Sequence, residues 1–161
     1  MPRRKPRTAA EFSAELERNA EYQGRLARNK RDAEAQGEAA AADERPLVAD
    51  LERSGLRIHT VYDLVNDIAT PPEAVPDLLH HLDVPHLPIV REGILRALAY
   101  SHLRAAALDP LKQFFARSQI SSERWLAANA LSTMASFAEL RTAVSGIEEF
   151  AQLFNDAPRQ R

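Results

Sequence analysis

Cysteine is absent from the 161 residues, which removes disulfide staples, thiolate metal sites and a cysteine nucleophile and leaves nothing that points to an oxidising compartment. Long apolar runs are absent too. No stretch approaches the roughly 18 residues of a membrane span, and no apolar segment follows the basic start MPRRKPR to make a secretory leader. No segment alternates polar and apolar residues for the length of a strand, which excludes a sheet and leaves an all-helical chain. Sequence signatures of chemistry are missing as well: there is no GxSxG elbow, no phosphate-binding glycine loop, no GxGxxG and no HExxH. The expectation is a soluble, cytoplasmic, non-enzymatic protein without cofactor or metal. Its Arg- and Ala-rich composition suggests, through codon bias alone, a GC-rich bacterial genome.

What is present is charge, unevenly placed. The net charge is −2, yet residues 1–31 hold nine Arg or Lys against four Glu, and residues 32–53 hold seven acids against two Arg. Blocks of this kind sit on solvated surface. Residues 1–7 read as a disordered basic arm. Residues 8–45 read as a charged, largely exposed helix opened by a capping box, Thr8 to Glu11. Its apolar stripe is thin: Phe12, Leu16 and Leu26 share a side that Asn19 and Gln23 interrupt. The composition favours helix only to about residue 42.

From Pro46 the pattern becomes that of a packed domain, 46–161. Leu47, Val48, Leu51 and Leu56 form a helical face that ends at Ser54-Gly55, with glycine as the left-handed C′ residue. Thr60 to Asp63 caps a short helix with Val61, Leu64, Val65 and Ile68 inward. Thr70-Pro-Pro-Glu73 offers a capping box for a helix carrying Val75, Leu78, Leu79 and Leu82; Pro76 means that this helix either starts near Glu73 or kinks. Prolines 85 and 88 push their preceding residues out of helical geometry, so 83–87 is a turn and Pro88 opens the next helix, with Val90, Ile94, Ala97 and Leu98 inward. Asp109-Pro110 then reads as a helix start before Leu111, Phe114 and Phe115. Ser121-Ser122 starts a helix with Trp125, Ala128, Leu131 and Met134 inward, and Ser136 to Glu139 caps a last helix with Leu140, Val144, Ile147, Ala151 and Phe154. A shift of 33 residues lays Leu78 on Leu111, Leu82 on Phe115, Arg91 on Arg124 and Ala97-Leu98 on Ala130-Leu131, which is a repeat signal.

PPEAVPDLLHHL followed by PIVREGILRALA, and LDPLKQFFARS followed by SERWLAANALS, resemble HEAT-repeat proteins of the α-solenoid class, and the wider layout resembles small bacterial HEAT-repeat proteins. The resemblance spans about residues 71–135. It implies a short α-solenoid of antiparallel helix pairs with an extended charged N-terminal helix, acting as a scaffold with no reaction of its own. Partners in that family lie along the groove of the second helices, which here carry Arg91, Arg96, Arg124, Trp125 and Asn129. The second unit departs from the pattern, with Glu123-Arg124 in place of Val-Arg. Arg91 and Arg124 are expected to bond to acids or carbonyls of the adjoining unit, and Trp125 to pack in the core. A protein partner is expected; the basic arm and Arg-rich helix make nucleic acid the alternative, and the apolar last helix, with Phe150 and Leu153, could meet a second chain.

His80, His81 and His86, with Asp77 or Asp83 near, are the one cluster with ligand chemistry. Adjacent helical residues point about 100° apart, so His80 and His81 do not share an ion easily. The segment reads instead as a hinge between helices, with His near the negative end of a helix dipole.

Overall fold

The computed structural model describes residues 8–10, 13, 17 and 19–144. All regular structure among them is helical: α1 (Ala20–Arg53), α2 (Asp63–Asn66), α3 (Val75–Asp83), α4 (Pro88–Ala97), α5 (Arg104–Arg117), α6 (Ser121–Met134) and α7 (Phe137–Val144). Short 3₁₀ turns, Pro72–Ala74 and Ser101–Leu103, precede α3 and α5. No helix among the described residues is long and apolar enough to cross a membrane. The chain divides into two compact units, Met1–Ala39 and Ala40–Arg161.

In the first unit α1 starts at Asn19, whose side-chain oxygen accepts from the Tyr22 N–H at 3.0 Å. The residue that interrupts the apolar stripe is therefore the N-cap of this helix. Lys30 and Glu34 pair at 3.8 Å, and the face is otherwise open to solvent, as charged and small residues dictate. The basic arm, the Thr8–Glu11 box, Phe12 and Leu16 lie outside the described residues or rest on residues that do.

Where the composition stops favouring helix near residue 42 and restarts at Pro46, the structure runs one helix through both. An interior proline deletes one hydrogen bond and crowds the carbonyl four residues back. That carbonyl belongs to Ala42, and Ala42 and Pro46 are both exposed, so water can satisfy it. The opposite face is anchored on both sides of the proline: Leu47 and Leu51 are fully buried, and the buried Glu44 carboxylate accepts from the Val61 N–H at 3.2 Å. Packing outweighs the local cost. The helix ends as its sequence indicates, with Gly55 at φ +91°, the Gly55 N–H bonded to the Glu52 carbonyl and the Leu56 N–H to that of Leu51. This is the Schellman pattern.

Asp63 accepts from the N–H groups of His59 and Thr60 at 2.6 and 3.2 Å, which fixes the start of α2 and holds its carboxyl below the usual range. Ile68 lies past the end of α2 and is exposed, not inward. Thr70 does not cap either: its hydroxyl turns inward to the Leu64 carbonyl at 3.4 Å, and extended backbone at Pro71 leads into the 3₁₀ turn. Pro76 consequently falls in the first turn of α3, where a missing N–H is harmless. The turn expected over 83–87 covers 84–87, because Asp83 still closes α3, and α4 starts at Pro88 as expected. Asp109-Pro110, by contrast, starts nothing, because α5 is already running from Arg104. Here again the carbonyl that the proline crowds belongs to an exposed alanine, Ala106.

The core of the second unit is one cluster from Leu47 to Leu140. Helix α3 packs on α4 and α5, α4 on α6, α5 on α6, α2 on α4 and α6 on α7. The 33-residue register survives in burial: Leu78 and Leu111, Leu82 and Phe115, Ala97 and Ala130, and Leu98 and Leu131 are all inside. Gly93 lets α4 approach the 61–62 segment; a Cβ there would sit 2.4 Å from Val61 Cγ1. The Ser136–Glu139 box closes in both directions, Ser136 N–H to Glu139 at 2.8 Å and Glu139 N–H to Ser136 Oγ at 3.3 Å. Leu140 is buried as expected; Ile147, Phe150, Ala151, Leu153 and Phe154 lie outside the described residues, as does the side chain of Val144.

Several side-chain ties across this unit span 32 to 36 residues. Arg91 reaches Glu123 (32 residues on), His102 the Thr70 carbonyl (32), Arg117 Asp83 (34), Arg104 Glu139 (35) and Tyr100 the Leu64 carbonyl (36). Each joins one helical segment to the segment about one 33-residue step away.

Candidate functional site

The prolines that separate α3 from α4 also build one wall of a cleft. Its volume is about 530 Å³, and it is lined by the 82–88 turn on one side, the 117–120 turn on the other, and Arg91, Phe114 and Glu123 between them. Two ion pairs cross it. Arg91 Nε lies 2.6 Å from Glu123 Oε1, with both side chains largely buried, and Arg117 pairs with Asp83 at the more exposed rim. Arg91 also donates to the Val84 carbonyl at 3.2 Å, and its guanidinium stacks 5.6 Å from the centre of the Phe114 ring, as does that of Arg117 at 5.7 Å. Arg91 thus holds the two turns together, as expected of a residue bonded to an acid of the adjoining unit. Its acid is the residue that breaks the sequence pattern: Glu123 occupies the position of Val90 one step earlier, and is just as buried because a guanidinium meets it.

Ser118 is the hydroxyl of this cleft. It donates to Glu123 Oε2 at 2.9 Å and accepts from the Ile120 N–H at 3.3 Å. The carboxylate beside it is already neutralised by Arg91, so the contact orders the turn that starts α6 and supplies no strong base.

The remaining surface residues are dispersed over α4 and α6. Arg96 pairs with Glu92 of its own helix at 2.7 Å; Arg124 is half-buried and Asn129 exposed on α6. Trp125 is not in the core. It is 54% exposed, and the inward positions of α6 are taken by Glu123, Ala127, Ala130, Leu131 and Met134. Leu87, Ile89 and Ile120 are also exposed, at or next to the starts of α4 and α6.

The histidine segment is a hinge of a more specific kind than its prolines imply. His80 faces solvent, its ring edge-on to His81 at 5.3 Å. His81 is buried, and its Nδ1 lies 2.8 Å from His86 Nε2 across the turn. The outer nitrogens are taken by α1: His81 Nε2 is 3.1 Å from Asp50 Oδ2 and His86 Nδ1 is 3.0 Å from Asp43 Oδ2, an oxygen that also accepts from the Leu87 N–H at 2.8 Å. The bond to His81, reinforced by Arg53, lowers the Asp50 carboxyl below its usual range despite partial desolvation. All four ring nitrogens are therefore engaged within the protein, and among the described residues no group of three or more His, Asp or Glu is set to hold a metal ion. Asp77, weighed as a possible metal ligand, instead accepts from the Ser54 hydroxyl at 2.6 Å.

Sequence reasoning did not find Asp43 and Asp50. They stand seven residues apart, two turns on one face of α1, and that register shows only if the helix is continued through Pro46. Comparison with protein-family models, with curated proteins and with solved structures finds no match to this chain.

Proposed function

We propose that the chain is a short non-catalytic scaffold of HEAT-like antiparallel helix pairs that binds another protein along the exposed sides of α4 and α6. The exposed tryptophan carries this reading. An indole left 54% open on α6, off the face that buries Ala127, Ala130, Leu131 and Met134, costs solvation without contributing to the core, and tryptophan with arginine nearby is the composition of binding hot spots. The 33-residue register of buried residues and the recurrent side-chain ties support stacked pairs, in which each pair covers the face its neighbour leaves open. Leu87, Ile89 and Ile120 add apolar area beside the cleft, and Arg96, Arg124 and Asn129 supply polar contacts around Trp125.

The test is affinity capture from the native cell followed by binding of the purified partner. The Trp125→Ala chain, with unchanged helical circular dichroism, is expected to bind at least roughly thirtyfold more weakly, the loss of a hot spot. Equal affinity of the variant would end this assignment. If instead the full chain retards DNA or RNA with steep salt dependence, and deletion of residues 1–7 abolishes it, nucleic-acid binding through the basic arm and Arg-rich helix replaces it.

A further inference from the structure

We infer that the His81–His86 pair, closed at both ends by carboxylates, is a site for one shared proton, and that this proton latches Asp43 and Asp50 of α1 to the turn between α3 and α4. The inference comes from counting and does not rest on the scaffold reading. Three contacts of hydrogen-bond length run in series, Asp50 to His81, His81 to His86 and His86 to Asp43. Each needs one hydrogen. Ionised carboxylates only accept, and two neutral imidazoles bring two N–H groups between them. Three bonds therefore require one proton beyond the neutral rings, so the imidazole pair carries a single positive charge and the four-residue cluster a net charge of −1. Moving that proton onto a carboxylate changes its location and not the count.

Either departure from three protons breaks the series. With two, a carboxylate faces a bare ring nitrogen or two nitrogen lone pairs face each other. With four, two N–H groups point at each other across 2.8 Å between two imidazolium rings. The charges around the cluster favour the intermediate state. From α1, Asp43 and Asp50 attract the proton; Arg53, paired with Asp50, opposes a second, and Glu44 stands one residue from Asp43. From α3, His80 lies edge-on to His81, while Asp77 and Asp83 hold Ser54 and Arg117. From α4 and α5, Arg91 and Arg117 share with His86 the lining of the cleft, both already paired with acids.

The sign of the pH dependence follows. Unfolded imidazoles titrate independently near about 6.5. Above that value the folded chain holds one proton more than the unfolded chain, so the latch weakens as pH rises; below it the folded chain holds one fewer, so the latch weakens as pH falls. The lowered Asp50 carboxyl acts on the acid side, its contribution being lost only as pH drops through the carboxylate range. The contribution of the pair is thus greatest near the ordinary imidazole value and falls by up to tenfold in the folding constant for each pH unit on either side. Loss of the latch frees the turn that walls the cleft.

The direct measurement is a nitrogen-15 NMR titration of histidine-labelled full-length protein from about pH 5 to about pH 8. The expected result is two separate proton uptakes for His81 and His86 with a one-proton plateau between them. Neutral rings throughout the middle range, or joint uptake of both protons in one step, would overturn the inference. In parallel, the folding constant of the wild type relative to His81→Gln/His86→Gln is expected to peak near pH 6.5 and fall on both sides. A ratio that is flat or monotonic with pH also overturns it. Should the double variant not fold, the titration of the unmodified chain decides alone.

Discussion

Gly93 and Glu139 each do one thing that no other residue type does at their positions. A methyl at Gly93 would have to displace Val61, which is fully buried. Gly93→Ala is therefore expected to destabilise by about 1–3 kcal/mol, against the helix propensity gain, measured by urea unfolding; unchanged or greater stability would show that the 61–62 segment gives way. The Arg104 guanidinium donates to Glu139 at 2.8 Å and Ser136 adds its hydroxyl and N–H, and these, Arg104 foremost, hold the Glu139 carboxyl down to about 2. Its folded value is depressed, so its contribution is complete above the ordinary carboxylate range and is lost as pH falls toward 2. Glu139→Gln is expected to lower the amide protection factors of residues 137–140 at neutral pH and to remove their decline as pH falls from the ordinary carboxylate range toward about 2.

Among the elements, α1 and α5 show how far local chemistry can be trusted. Periodicity and glycine placed the Schellman end of α1, the Ser136 box and the turn before Pro88 correctly, because there the backbone signal is local and nothing opposes it. Pro46 and Pro110 misled for one shared reason: each crowds the carbonyl of an exposed alanine, and the face opposite is buried on both sides of the ring. Proline position in sequence does not reveal which way the freed carbonyl points. Pro46→Ala is expected to raise stability by about 1–3 kcal/mol, seen as a higher urea midpoint with an unchanged slope; no gain would mean that the helix is already bent to accommodate the ring. Trp125 misled in the opposite way. Helical spacing put it inward with Leu131 and Met134, which are buried, but the remaining inward positions are Glu123, Ala127 and Ala130, whose polar or small side chains carry no strong apolar signal.

At the scale of the whole molecule, Arg91, Arg96, Arg124, Trp125 and Asn129 lie on α4 and α6, with Arg91 largely buried and Trp125 exposed, and all-helical architecture was legible from the absence of period-two patterning. The cleft and the histidine series were not, because both join residues 30 or more positions apart whose pairing only tertiary packing decides. Arg91 and Glu123, 32 residues apart, are both largely buried. Arg91→Met alone is expected to cost about 3–5 kcal/mol by stranding Glu123, and adding Glu123→Leu to recover most of it, measured as a double-mutant cycle in urea; additive losses would show that the two side chains act independently. Asp43 and Asp50 add a constraint of another sort. Apolar ridges tolerate sliding and small rolls, but two carboxylates two turns apart, each committed to a different imidazole, index α1 in rotation like a key with two teeth. One extra residue at position 46 would swing Asp50 by about 100° while Asp43 stayed seated, so no compromise placement of the rod can keep both teeth in their slots.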